Sequence, residues 1–162
     1  MKLRVSLAFG IGALLGALAF ALVLRSQTPH IIFTVHESKY ATVAETSEAL
    51  KKSILDHGWQ PCVVRDISDS IRKSGLSFQG TVHLVELCNP EYAKKVLTDH
   101  PEFSAIMPCQ WGVYQDRDGK VYIATLNVQF IGQLFGGEIG KLLTKNIDIE
   151  EDWMLENIVV HR

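Results

Sequence analysis

An α+β fold, with a largely antiparallel sheet covered by helices, is predicted by three observations. After residue 30, β-rich and helical stretches follow the order β-α-β-β-α-β-β-α, which mixes hairpins with helical layers rather than repeating βαβ units. Two helices carry explicit start signals, Thr42-Val43-Ala44-Glu45 and Asn89-Pro90-Glu91. One turn, Asp116-Arg117-Asp118-Gly119, joins two apolar runs with the Asp-Gly signature of a hairpin.

An apolar stretch precedes this domain. Behind Met1-Lys2-Leu3-Arg4, the twenty residues Val5 to Leu24 include no charged residue, and Ser6 is their only polar side chain. At 1.5 Å per residue they cover the roughly 30 Å of bilayer hydrocarbon. Ala17-Leu18-Ala19 and Ala19-Phe20-Ala21 resemble signal-peptide cleavage sites. The apolar run continues past both, which favours an uncleaved anchor. Lys2, Arg4 and the amino terminus outweigh Arg25, so the N-terminus is expected in the cytoplasm and the remainder in the periplasm. Residues 1–25 are assigned to a single-pass anchor in the inner (cytoplasmic) membrane, 26–30 to a linker and 31–162 to one periplasmic domain. Ala8, Gly12 and Gly16 fall four apart, a spacing that lets a second membrane helix approach closely. The link Ser26-Gln27-Thr28-Pro29 reaches about 13 Å when extended, which holds the domain near the headgroups. The expected partners are the membrane itself and, within it, an integral membrane protein complex or a second copy of the chain.

Within the domain, Ile31 to His36 is β-branched and aromatic and reads as the first strand. Thr42 and Glu45 form a capping box, opening a helix with Val43, Ser47, Leu50, Ile54 and His57 on one face, and Gly58 stops it. Cys62 to Ile67 is a second strand, followed by a short helical turn over Ser68 to Lys73. Thr81 to Leu87 is the third strand. The helix after it runs from Pro90 to about Asp99 with Ala93, Val96 and Leu97 inward, and Pro101 lies just beyond its end. Ile106 to Gln115 and Val121 to Asn127 flank the hairpin turn. Val128 to Phe135 is helical, Gly136-Gly137 breaks it, and Glu138 to Lys145 resumes. Asp148 is placed to cap a last helix whose apolar residues are Trp153, Leu155 and Ile158.

A net charge of −2 without a basic stripe excludes a nucleic-acid partner. Three cysteines are too few, and odd in number, for a disulfide scaffold. The candidate binding or redox residues are Cys88, Cys109, Glu86 and Asn89. Cys88 sits one residue before a helix N-terminus, where a thiolate can be stabilised. Glu86 and Cys88 share a strand face, as do Met107, Cys109 and Trp111, and adjacent strands would bring the thiols together. Inert buried thiols are the competing reading, and Cys62 is taken as core. No catalytic residue, metal ligand set or cofactor is assigned. The six histidines lack metal-ligand spacing, and a site joining Cys88, Cys109 and a distant histidine such as His36 is the weaker alternative. The acidic run Glu150-Glu151-Asp152 reads as a helix N-terminal cluster favoured by the dipole.

Leu87-Cys88-Asn89-Pro90 with its helix, and Met107-Pro108-Cys109 with its strand and Gly hairpin, resemble the domain of unknown function 302 family in its Cys-Asn-Pro/Pro-Cys form. The resemblance runs from about Ile31 to Ile158. It implies a compact α+β fold with a curved antiparallel sheet, similar to the TATA-binding-protein arrangement, and no particular activity. Some similar members are linked to redox or sulfur metabolism by context. The family does not keep the cysteines throughout, so they are not required for the fold, and the anchor lies outside its pattern. The expectation is a membrane-tethered, non-catalytic binding or thiol-redox module. The alternative is an accessory subunit of a membrane respiratory or sulfur-oxidising complex, packing through its anchor.

Overall fold

The computed structural model describes residue 16 and residues 31–161, without the side chains of Pro61 and Cys62. From Phe33 onward the chain forms a unit of its own. Its five strands, β1 (Phe33–Glu37), β2 (Gln60–Asp66), β3 (Val82–Cys88), β4 (Cys109–Gln115) and β5 (Val121–Leu126), form one sheet in the order β1-β5-β4-β3-β2. Every neighbouring pair is antiparallel. Six α-helices stand among the described residues: α1 (Val43–Asp56), α2 (Ile67–Lys73), α3 (Pro90–Asp99), α4 (Val128–Phe135), α5 (Gly137–Leu142) and α6 (Asp148–Leu155). The α+β class holds, with a sheet antiparallel throughout.

Local chemistry sets the elements. The Thr42 hydroxyl accepts from the Glu45 amide at 3.2 Å, the N-cap bond of the expected capping box, and donates to the Glu45 carboxylate at 2.8 Å. Val43, Ser47, Leu50 and Ile54 of α1 are buried as the periodicity requires, joined by Thr46. His57 lies past the last turn and is exposed, its Nδ1 turned back to the Ser53 carbonyl at 2.8 Å. In the hairpin, Asp116 Oδ1 accepts from the Asp118 and Lys120 amides at 2.9 Å each, and Gly119 takes the φ of +83° that a side chain would resist. Val85 and Leu87 of β3, Trp111 and Val113 of β4, and Ile123 of β5 line the buried face of the sheet, under Leu50, Ile54, Met154 and Leu155.

Several boundaries depart from the sequence reading. Strand β1 starts at Phe33, because Ile31 and Ile32 are helical. Strand β4 starts at Cys109 rather than Ile106. A 3-10 turn occupies Pro101–Ile106, and the Met107–Pro108 peptide bond is cis. The last helix has no separate start. From Gly137 the chain runs through a π turn, Leu143–Ile147, directly into α6. Asp148 therefore caps nothing, and its Oδ2 accepts from Gln129 Nε2 at 2.7 Å. Trp153 faces outward and Met154 takes the buried position. Where α4 meets α5 and the π turn, a side chain at Gly132 would lie 3.0 Å from the Gly140 carbonyl oxygen and 2.6 Å from Thr144 Cγ2, so α4 and α5 pack through glycine.

No helix among the described residues is long and apolar enough to cross a membrane. The anchor expected over residues 1–25 lies outside the described residues, Ala8 and Gly12 included, except that Gly16 is helical and exposed.

The register gives the sheet two unlike ends. Phe33, Leu126, Cys109, Cys88 and Gln60 mark one, which we call the cysteine end. Glu37, Val121, Gln115, Val82 and Asp66 mark the other, the hairpin end.

Candidate functional site

At the cysteine end, a cavity of about 80 Å³ lies between the sheet and helices α3, α4 and α5. The surface it presents is almost wholly apolar. Leu87, Phe103, Met107, Ile131 and Ile139 form much of it, and Cys88, Asn89 and Cys109 border it at the strand ends. Three sequence-derived candidates thus meet at one hollow. Neither Cys88 nor Cys109 belongs to a disulfide, and both are half-buried. Strands β3 and β4 are neighbours as expected, but the register sets Leu87 opposite Cys109. Strand alternation then places the two thiols on opposite faces, so a bridge between them would have to cross the plane of the sheet.

The other two candidates resolve into structural roles. Asn89 Oδ1 accepts from the Glu91 amide at 3.0 Å and the Tyr92 amide at 3.3 Å, the N-cap expected of it, with Pro90 in the first turn. Glu86 is buried on the far side of β3 and takes Arg65 Nη2 at 2.8 Å, away from the cavity.

Sequence reasoning missed the polar wall. Trp59 and Tyr92 both line the cavity, their rings edge to face with centroids 5.9 Å apart. Trp59 Nε1 donates to Glu150 Oε2 at 2.6 Å, and the Tyr92 hydroxyl donates to Glu150 Oε1. That hydrogen bond, then burial and the charge of Glu150, pushes the Tyr92 hydroxyl up to about 12, so it remains a donor across the physiological range. Next along α6, Glu151 is buried and accepts from Trp111 Nε1 at 3.4 Å. Burial raises its carboxyl to about 8, with Asp148 and Asp152 adding to the rise and Trp111 opposing it. The acidic run therefore supplies one buried carboxyl, Glu151, and one half-buried carboxyl, Glu150, that holds two ring donors, not only a dipole cluster. The signal was in the helical period: Glu151 precedes Met154 by three and Leu155 by four, the inward face of α6.

One arrangement elsewhere looks catalytic and is not. Ser47 Oγ lies 3.1 Å from His83 Nδ1, and His83 Nε2 lies 3.8 Å from Asp66 Oδ2. Ser47 is fully buried on α1 and its hydroxyl donates to the Val43 carbonyl at 2.8 Å, so no substrate reaches it and its proton is already committed. Among the described residues, no three His, Cys, Asp or Glu side chains converge as metal ligands. His36 faces Asp152 instead of the cysteines. Of the residues lining the cavity, only Cys88, Cys109 and Tyr92 titrate, a set suited to holding an apolar group.

These features define a small α+β domain whose antiparallel sheet is backed by helices on one face and hollowed at one end. The chain belongs to the family described as domain of unknown function DUF302, whose pattern matches residues 34–150. The resemblance carried by Cys88-Asn89-Pro90 and Pro108-Cys109 thus holds at the level of the family. An uncharacterized protein of Aquifex aeolicus (strain VF5) is 32% identical over 85 residues, which are 52% of this chain and 53% of that protein. The match therefore spans about half the length of that relative. The crystal structure of an uncharacterized conserved DUF302 protein from Bacillus stearothermophilus shares the fold, with a TM-score of 0.66 at 22% identity over 78% of this chain and 97% of that one.

Proposed function

We propose that this protein is an exported, membrane-tethered, non-catalytic binding module that receives a small apolar group in the cavity at the cysteine end. The observation that carries this reading is the apolar hollow itself, bordered by residues Cys88 and Cys109 at the strand ends and by Trp59 and Tyr92, whose polar atoms are already engaged by Glu150. An engineered apolar cavity of about 150 Å³ holds benzene. A hollow of about 80 Å³ takes a short alkyl or thiol-sized group, with the rest of a larger ligand outside. The tether rests on the charge-free run Val5 to Leu24 behind Lys2 and Arg4. A thiol-redox form of the same module has less support, because the register separates Cys88 from Cys109 by a sheet face.

Xenon NMR and titration with 1-butanethiol test the cavity. Saturable binding that Ala93→Phe abolishes, in a variant that still melts cooperatively, is the expected result. No saturable binding to the parent chain would overturn it. Membrane fractionation with N-terminal sequencing tests the tether, and a soluble chain trimmed within residues 17–21 would refute it.

The second reading is the accessory subunit of a membrane respiratory or sulfur-oxidising complex. The observation that favours it is the apolar surface of α4, where Phe130, Leu134 and Phe135 are exposed, together with the Ala8, Gly12, Gly16 spacing. Co-purification with a large partner in mild detergent is expected, and a lone monomer on native gels would count against it.

A further inference from the structure

The first half of α6 is held by its own acidic side chains, each on a different element. Asp148 Oδ2 accepts from Gln129 of α4 at 2.7 Å. Glu150 takes the Trp59 and Tyr92 donors of the cavity wall. Asp152 faces His36 of β1. Glu151 points into the core: it is 7% exposed and meets Trp111 Nε1 of β4 at 3.4 Å, a long hydrogen bond. The other end of the helix is fastened differently. The Met154 carbonyl accepts from Ser53 Oγ at 2.7 Å. Just beyond the helix, the Lys39 amide donates to the Ile158 carbonyl and the Val160 amide to the Glu37 carbonyl, both at 2.8 Å. The far end is thus fixed by bonds that do not titrate, and the near end by carboxyl groups that do.

A carboxylate at Glu151 has nothing to balance it. Among the described residues, no Lys, Arg or His forms an ion pair with it. The charges that act on it, Asp148 and Asp152, are of its own sign. Lys145 of the π turn is exposed. The buried face of α1, Val43, Thr46, Ser47, Leu50 and Ile54, is uncharged, and His57 beyond it is exposed. From β1, His36 acts on Asp152, and past the end of that strand Lys39 Nζ reaches the Glu156 carbonyl at 3.4 Å. Burying an unpaired charge costs far more than burying the neutral acid. Glu151 is therefore seated as the neutral acid and is driven toward water when it loses the proton.

What α6 carries with it is the wall of the cavity. Leu143 and Ile147, in the π turn that leads into α6, line the hollow. Glu150, one residue before Glu151, holds Trp59 and Tyr92 there. Helices change direction at π turns, so the segment has a hinge beside the hollow. We infer that Glu151 is a proton-operated latch on the apolar cavity: as the neutral acid it seats the first turn of α6 and holds the cavity in its binding shape, and on ionising it withdraws from the core, shifts Ile147 and loosens the hold of Glu150 on Trp59 and Tyr92. The inference rests on the binding reading given above and adds its regulation. The proton and the apolar ligand favour the same seated state, so each strengthens the hold of the other.

Xenon, which has no titratable group, tests the coupling in the full chain by NMR at about pH 6 and about pH 9.5, on either side of the Glu151 titration at about 8. Its affinity is expected to fall about tenfold between them in the parent and to stay level in Glu151→Gln, which keeps the hydrogen-bond acceptor without the charge. Reciprocally, saturating xenon is expected to raise the pH at which the Glu151 carboxyl carbon titrates by about one unit, a measurement that needs no variant. Equal affinity at both pH values in the parent would overturn the latch and leave the cavity standing. An equal fall in Glu151→Gln would overturn it too, and transfer the effect to Cys88 or Cys109. Loss of the whole amide spectrum at the higher pH, in place of shifts confined to α6, Trp59 and Tyr92, would overturn it as global unfolding. No xenon binding at either pH would overturn the cavity reading, and the latch with it.

Discussion

The two ends of the sheet are built from opposite materials. At the hairpin end, backbone geometry is fixed by charge: Asp116 gathers two amides, Lys120 meets Glu37 at 2.8 Å, and the Asp66 carboxylate takes the Asp69 amide at 2.8 Å as the N-cap of α2. At the cysteine end the residues lining the hollow include no Asp, Glu, Lys or Arg. Leu87, Phe103, Ile131 and Ile139 shape it by packing, and the carboxylate near it, Glu150, serves Trp59 and Tyr92 rather than the opening. Charged groups in water cost little to hold and contribute little, whereas an apolar wall contributes by area and leaves space when it fits imperfectly. The end held by packing is therefore the one with an apolar hollow, whereas the turn at the other end is tied by its own hydrogen bonds.

If this contrast is right, substitutions at the cysteine end should cost far more than those at the hairpin end. Leu87→Ala should bring the largest loss. Leu87 is fully buried, and its truncation is expected to cost about 3 kcal/mol in chemical denaturation. It should also widen the hollow until benzene binds. A cost below about 1 kcal/mol would mean that the wall collapses into the space, and the end would then be no binding site.

Glu151→Gln should act in the opposite direction, and only above acidic pH. The buried carboxyl sits at about 8 against an ordinary 4.5, so between those values the folded chain holds a proton that the unfolded chain releases. Stability contributed by that proton is complete below pH 4.5 and is lost as pH rises toward 8. The glutamine variant keeps an acceptor for Trp111 without the titration. It is expected to match the parent near pH 4 and to exceed it by several kcal/mol, up to about 5, above pH 8. Parallel stability curves across that window would place Glu151 in contact with water.

Tyr92→Phe removes the hydroxyl that donates to Glu150 while keeping the ring against Trp59. A hydrogen bond to a charged group sets the expected loss at about 1.5 kcal/mol. Xenon binding in the hollow should survive, because the hydroxyl faces the carboxylate. Loss of binding without loss of stability would instead make Tyr92 a ligand contact.

How far these residues could be read in advance follows the distance over which each is decided. Thr42 with Glu45, Asn89 with Pro90 and Asp116 with Gly119 settle their structure within four residues, and all three appear as the sequence implies. The adjacency of Cys88 and Cys109 was nearly as accessible, since each lies at the end of a strand, but the one-residue offset of the register was not. The cavity needs α4 and α5, closed over it by the glycine contact between Gly132 and Gly140, and no local pattern announces that approach. Glu150 looked like dipole chemistry because its partners, Trp59 and Tyr92, are 91 and 58 residues away. The start at Asp148 failed for the converse reason: a local cap signal was overridden by a helix arriving from Gly137.

Lys120→Ala completes the comparison at its small end. The Lys120 ammonium reaches Glu37 Oε1 at 2.8 Å, but the lysine side chain is 52% exposed. Water screens the pair and the long side chain loses rotamer freedom to form it, so the expected cost is about 0.5 kcal/mol or less, falling further in high salt. The hairpin itself should keep its shape, because the Lys120 amide, not its side chain, bonds Asp116 Oδ1. Amide exchange at Lys120 should therefore be unchanged while the melt shifts slightly. A cost of about 1.5 kcal/mol or more would exceed what an exposed pair supplies. It would show that Glu37 anchors the edge strand β1, whose outer side takes the Val160 amide at 2.8 Å on the Glu37 carbonyl, and the charged end would then carry structural load comparable to the packed one.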